Sequence, residues 1–261
     1  MITFSSAQLD EWIALVIFPL SRILALLATA PVFNNAALPV RVRLTVGLTV
    51  AMAVTLALPP IPPIPAGSWI GLAIIAQQIL IGMAMGFALR MTFAAFDVAG
   101  EIISLQMGLS FATFYDPTSG GQTPVISEFL ALMTALVFLG MNGHLLTLSV
   151  LAESFTLLPI SATPVHAGIF KPLFAWSATL FATGLLLAMP MIATLLIVNI
   201  ALGVLARIAQ QLNLFAIGFP VTLALGFVVL MLSLPYMGEI MESLFSKGFQ
   251  AMETVIRSGA A

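Results

Sequence analysis

WIGLAIIAQQILIGMAMGFALRMTFAAFDVAGEIISLQM, Trp69 to Met107, is the stretch on which the fold turns. It contains no proline, and it is mostly apolar as far as Phe96, interrupted only by Gln77, Gln78, Arg90 and Thr92, before Asp97, Glu101 and Gln106 appear. At a rise of about 1.5 Å per residue, one helix over the whole stretch is nearly twice the roughly 30 Å hydrocarbon core of a bilayer. The spacing therefore predicts a helix that outruns the membrane and ends in a loop. Upstream, Pro59, Pro60, Pro62, Pro63 and Pro65 form a stiff polyproline-like connector. Downstream lies MGLSFATFYDPTSGGQTPV, Met107 to Val125, too polar to span a membrane and too aromatic for an idle linker.

The rest of the chain fits this reading. Hydrophobic residues make up 61% of the 261 positions and charged residues 7%, against about 25% charged in a soluble domain. So few charges cannot cover a water-soluble surface, so the expected class is an all-α, multi-helix integral membrane protein. A net charge of −2 argues against nucleic acid as a partner, whose binding needs clustered Lys and Arg. The absence of cysteine excludes disulfides and thiolate chemistry. The N-terminus is not expected to be a cleavable signal: no Lys or Arg precedes Trp12, and Asp10 and Glu11 stand where a signal would be basic.

Six apolar segments are expected: 12–30, 44–58, 69–96, 125–151, 173–205 and 214–234. Pro19, Pro190 and Pro220 lie inside apolar runs, where a missing N–H predicts kinks or breaks. No internal repeat and no soluble domain stand out, so residues 1–261 read as one domain of kinked helical hairpins. From 237 to 257 the pattern becomes amphipathic. Glu239, Glu242, Ser246, Gln250, Glu253 and Arg257 share one face; Met237, Met241, Leu244, Met252 and Val255 fall opposite. Its charges sum to −1, which favours docking on a partner over lying on anionic lipid. Six spans would place Arg41, Arg43, Arg90 and Arg207 on one side and Lys171, Lys247 and Arg257 on the other, a difference too small to orient the chain.

Few residues stand out as sites. Arg22 lies within the first apolar run, where a charge needs a partner or water. It reads either as a contact to a partner subunit or wet lumen, or as a side chain snorkelling from near a helix end. Arg90, Asp97 and Glu101 are spaced by seven and four, on one helical stripe. That stripe, with Gln77 and Gln78 earlier on the same helix, lines a conduit or subunit seam, or else is a solvated extension. His144 reads as a loop or cap residue and His166 as loop. No HExxH, P-loop, GxSxG or dinucleotide motif is present, so no catalytic residue, metal or cofactor is expected.

Longer stretches carry more information. PLSRILALLATAP with LPVRVRL, QQILIGMAMGF leading into GEIISLQMGLSFATFYDP, NGHLL followed by FTLLPI, and RIAQQLNLFAIGFPVTL resemble the FliR/SctT family of the type III export gate from about Pro19 to Leu223. The family often has Pro-Gln where this chain reads Gln210-Gln211. The resemblance implies an inner-membrane subunit, largely on the periplasmic side once assembled and associated with the flagellar basal body. It implies FliP and FliQ homologues as partners in a hetero-oligomeric gate, an FlhB homologue beside them, and unfolded proteins in transit through the channel. It also implies that 108–124 is a plug. Gly108, Gly120 and Gly121 would permit movement, Phe111, Phe114 and Tyr115 would exclude water, and Asp116 and Pro117 would belong to the same element. Without the resemblance, the loop reads equally as a connector with interfacial aromatics. Arg22, Arg90, Asp97, Glu101, Gln106, Arg207, Gln211 and Asn213 are then expected on polar faces or at subunit contacts. A secondary transporter for a small solute would instead show two related halves. An injectisome gate subunit would share most of these features, and a purely structural assembly nucleus would leave the pore to its partners.

Overall fold

Ser68 starts the decisive helix. In the computed structural model, its hydroxyl accepts the Gly71 N–H at 3.0 Å, satisfying one of the amides a helix start leaves free. The helix then runs without interruption for 38 residues, Trp69–Gln106. It ends in a Schellman turn: Gly108 takes φ 79°, Leu109 N–H bonds Ser104 C=O at 3.0 Å and Gly108 N–H bonds Leu105 C=O at 3.1 Å. The structure describes residues 6–35, 37–56, 58, 64–109, 124–209 and 214–260.

Among the described residues there are seven α-helices, one short 3-10 turn and no strand. In chain order they are α1 (Ser6–Thr29), α2 (Val40–Thr55), α3 (Trp69–Gln106), α4 (Val125–Gly140), α5 (Gly143–Leu157), α6 (Phe170–Ile208) and α7 (Leu214–Ala260), with the 3-10 turn at Ala167–Ile169 before α6. The fold is all-helical, and four helices (α1, α3, α6 and α7) are long and apolar enough to cross a membrane. The bent pair α4–α5 makes a fifth if counted as one span.

This differs from six spans in two places. The second segment forms a helix of only 16 residues, about 24 Å long and short of the bilayer core. The segment expected over 125–151 is broken at Met141–Asn142 into two helices, α4 and α5. Asn142 sits in the left-handed region at φ 57°, a conformation that its short polar side chain tolerates and that no helix interior accepts. Conversely, helices α1, α6 and α7 continue through Pro19, Pro190, and Pro220 and Pro235. The 237–257 segment is the last part of the 47-residue α7. There Met237, Met241, Leu244, Met252 and Val255 are buried, while Glu239, Glu242, Ser246, Gln250 and Arg257 are exposed.

The chain forms two compact units. One comprises Met1–Met91, Asn142–Ser177 and Phe245–Ala261; the other comprises Thr92–Met141 and Ala178–Leu244. In the first, α1 crosses α3 closely at Gly82 and Gly86. A Cβ at Gly82 would strike the Arg22 carbonyl oxygen, and one at Gly86 the Thr29 hydroxyl. Two glycines four apart let two backbones approach, as in small-residue crossings of membrane helices. Trp176 Nε1–H, early in α6, donates to Ala88 C=O of α3 at 3.0 Å. In the second unit α4 packs on the later part of α3. A Cβ at Gly100 would meet the Ser127 backbone, and Phe93 meets Phe138 edge-on at 5.4 Å.

Most helix hydroxyls bond back to their own helix. Thr29, Thr45, Thr49, Thr55, Thr134, Thr147, Thr194 and Ser233 each donate to the carbonyl four residues earlier at 2.7–2.9 Å.

Candidate functional site

The strongest polar feature lies inside the first unit. Arg22, on α1, is wholly buried. Its Nε donates to Gln78 Oε1 of α3 at 2.8 Å. Nη1 donates to Ser154 C=O at 2.8 Å and to Ser154 Oγ at 3.0 Å. Nη2 donates to Leu158 C=O at 2.8 Å. The guanidinium also lies 4.2 Å from the centroid of the Phe155 ring, a cation–π contact in a desolvated setting.

Local chemistry explains each partner. Ser154 and Leu158 close the end of α5, at the negative end of the helix dipole: Ser154 C=O still accepts the Leu158 N–H at 2.9 Å and shares its oxygen with Arg22, whereas Leu158, the C-cap, lies past the last helical donor. Ser154 Oγ donates to Leu151 C=O at 2.6 Å, which turns its lone pairs towards Arg22. Gln78 offers its oxygen to the arginine, and its Nε2 is buried with no partner among the described residues. The charge is thus held by neutral groups: one amide, one hydroxyl, two carbonyls and a ring. A planar fork with five N–H groups suits this spread; a point-charge ammonium does not.

Within this chain Arg22 does not reach the surface. Its own chain surrounds it, because the acceptors at the end of α5 and on α3 converge on one face of α1. Gln78, grouped in the sequence with the polar stripe of α3, is buried for the same reason, while Gln77 is half-buried. Beside this centre is a cavity of about 370 Å³ lined by Gln77, Leu158, Ser161, Thr163, His166 and Gly259 among others.

The remaining expected residues fall elsewhere. Arg90, Asp97 and Glu101 are all exposed on α3, Gln106 is half-buried, and Arg207 is exposed in the last turn of α6. Gly108 closes α3. Phe111, Phe114, Tyr115, Asp116, Pro117, Gly120, Gly121, Gln211 and Asn213 lie outside the described residues. His144 falls in the first turn of α5, with Nδ1 buried and unpartnered among the described residues. His166 Nδ1 accepts the Gly168 N–H at 3.2 Å. Among the described residues no three His, Asp or Glu side chains gather where they could hold a metal ion.

Sequence reasoning found Arg22 but missed Ser154, Leu158, Phe155 and the glycine pair. Two of the four bonds go to backbone carbonyls, which carry no residue signature. The glycine pair did leave a signal, the G-x-x-x-G at 82–86.

Comparison with known proteins gives the wider context. The family model described as bacterial export proteins, family 1, matches residues 13–248. The chain is 43% identical over 256 residues to the flagellar biosynthetic protein FliR of Pectobacterium carotovorum subsp. carotovorum, covering 98% of each. It is 41% identical, with the same coverage, to that of Escherichia coli K12. The FliR of Aquifex aeolicus is 31% identical, over 95% of this chain and 96% of its own. With relatedness extending over almost its whole length, the chain belongs to the FliR family of bacterial flagellar export proteins.

Proposed function

We propose that this chain is a core subunit of the flagellar type III export gate. It forms, with FliP and FliQ homologues, the channel through which unfolded flagellar proteins leave the cytoplasm, and an FlhB homologue associates with it. The gate sits in the inner membrane at the flagellar basal body, largely on the periplasmic side, and the chain itself performs no chemistry.

The observation that carries this reading is relatedness over 98% of the chain to proteins named for flagellar biosynthesis. Surface chemistry supports it. Only 22% of the most apolar window of α6 and 17% of that of α7 are buried within the chain, so lipid or other subunits must cover the rest. The plug is the loop between two defined ends, the left-handed turn at Gly108 and Pro124, whose φ of −55° leads into α4. Asp97 and Glu101, exposed on α3, are proposed as contacts to cationic groups of a neighbouring subunit.

Co-expression with the FliP and FliQ homologues tests the reading. The expected result is one stable complex containing all three chains, with its mass giving the copy numbers. Purification of this chain alone, with no association under any co-expression, would refute it.

A further inference from the structure

Arg22 poses a problem of timing. It lies inside an apolar helix that is able to cross a membrane, yet its own helix supplies none of its bonds. The acceptors are Gln78, Ser154 and Leu158, which follow it by 56, 132 and 136 residues. Each is neutral, and three of the four bonds require the end of α5.

While α1 and α2 alone have been made, the guanidinium therefore has no partner. A charged residue within a bare membrane helix weakens its insertion on the order of a hundredfold. The arrival of α3 provides one acceptor, Gln78 Oε1. The arrival of α5 provides the other three and the Phe155 ring. Only then do four of its five N–H groups have acceptors, in a fully buried site.

We infer that Arg22 makes α1 a late-docking helix, so that the first unit closes on the completed end of α5 rather than growing helix by helix from the N-terminus. Until then α1 stays in a wet or protein-shielded environment. The ordering is a property of the chain's own folding, independent of what the finished protein conducts. The close crossing at Gly82 and Gly86 belongs to the same seating, since Gly82 abuts the backbone carbonyl of Arg22 itself.

The absence of native cysteine permits a direct test. Leu26 is fully buried on α1, one turn beyond Arg22, and L26C introduces a smaller side chain. During synchronised synthesis of the full-length chain into inner-membrane vesicles, L26C should react with a maleimide until residues beyond Leu158 have entered. Reactivity should then fall at least tenfold. Combined with R22M, which removes the charge, protection should come before α5 is made. R22Q, neutral and still a hydrogen-bond donor, provides the same test if the methionine chain does not fold. With R22K, which keeps the charge without the fork, L26C should remain reactive in the finished chain. Early protection in the Arg22 chain, or late or absent protection in both neutral variants, overturns the inference.

Discussion

At the scale of single residues, Arg22 is a buried cation with no carboxylate partner among the described residues. Removing one acceptor should be costly, since a charge-assisted hydrogen bond contributes about 1.5–3 kcal/mol and its loss strands a buried N–H. Gln78→Leu removes the acceptor that Arg22 Nε has among the described residues. It should destabilise the purified protein by about 2 kcal/mol, read as a lower thermal or denaturant midpoint; an unchanged midpoint would show that the bond contributes little. Gln78→Glu supplies a carboxylate in nearly the same volume and should be tolerated. Gly108 offers a second test. Its φ of 79° admits glycine freely and alanine only with strain. Gly108→Ala should cost about 1 kcal/mol and fray the end of α3, seen as faster amide exchange at Met107–Leu109.

At the scale of elements, two helices meet where glycine removes the side chain between them. Gly86→Val drives a branched side chain towards Thr29. Overpacking of this kind costs about 1–3 kcal/mol, and the expected result is a lowered midpoint together with loss of the α1–α3 contact, measured by crosslinking between cysteines placed on each. The break between α4 and α5 rests on Asn142. Asn142→Gly should be neutral, whereas Asn142→Val puts a β-branched residue in the left-handed region and should destabilise by about 1–3 kcal/mol. Much at this scale was legible in the sequence. The absence of proline from Trp69 to Met107 made one long helix the natural reading, and the Met and Glu positions of 237–257 marked a two-faced segment. The break at 141–142 was not legible, because Asn-Gly lies in an apolar run that reads as one span. Nor were the unbroken passages through Pro19, Pro190, Pro220 and Pro235, because a proline shows the bond it removes but not the packing that keeps the helix going. The centre at Arg22 was half legible: the charge was plain, but two of its four acceptors are backbone carbonyls, and all four come from α3 and the end of α5, distant from it in sequence.

At the scale of the whole molecule, the exposed apolar faces of α6 and α7 and the loop between Gly108 and Pro124 matter most. If the loop is a plug, deletion of Phe111–Gln122 should leave the gate assembled but permeable to ions or small solutes in vesicles; unchanged permeability counts against the plug. Asp97→Ala with Glu101→Ala should lower recovery of partner chains on copurification and reduce secretion, and full recovery of both would remove these carboxylates from the interface. The threonine and serine hydroxyls that donate to their own helices lead to one more consequence. Each has already used its proton locally, so a neighbouring surface meets chiefly its methyl or methylene group. Residue-by-residue hydropathy therefore overstates how polar these helices are to anything outside, and exchanging an outward threonine such as Thr49 or Thr194 for valine should pass almost unnoticed by whatever lies against it.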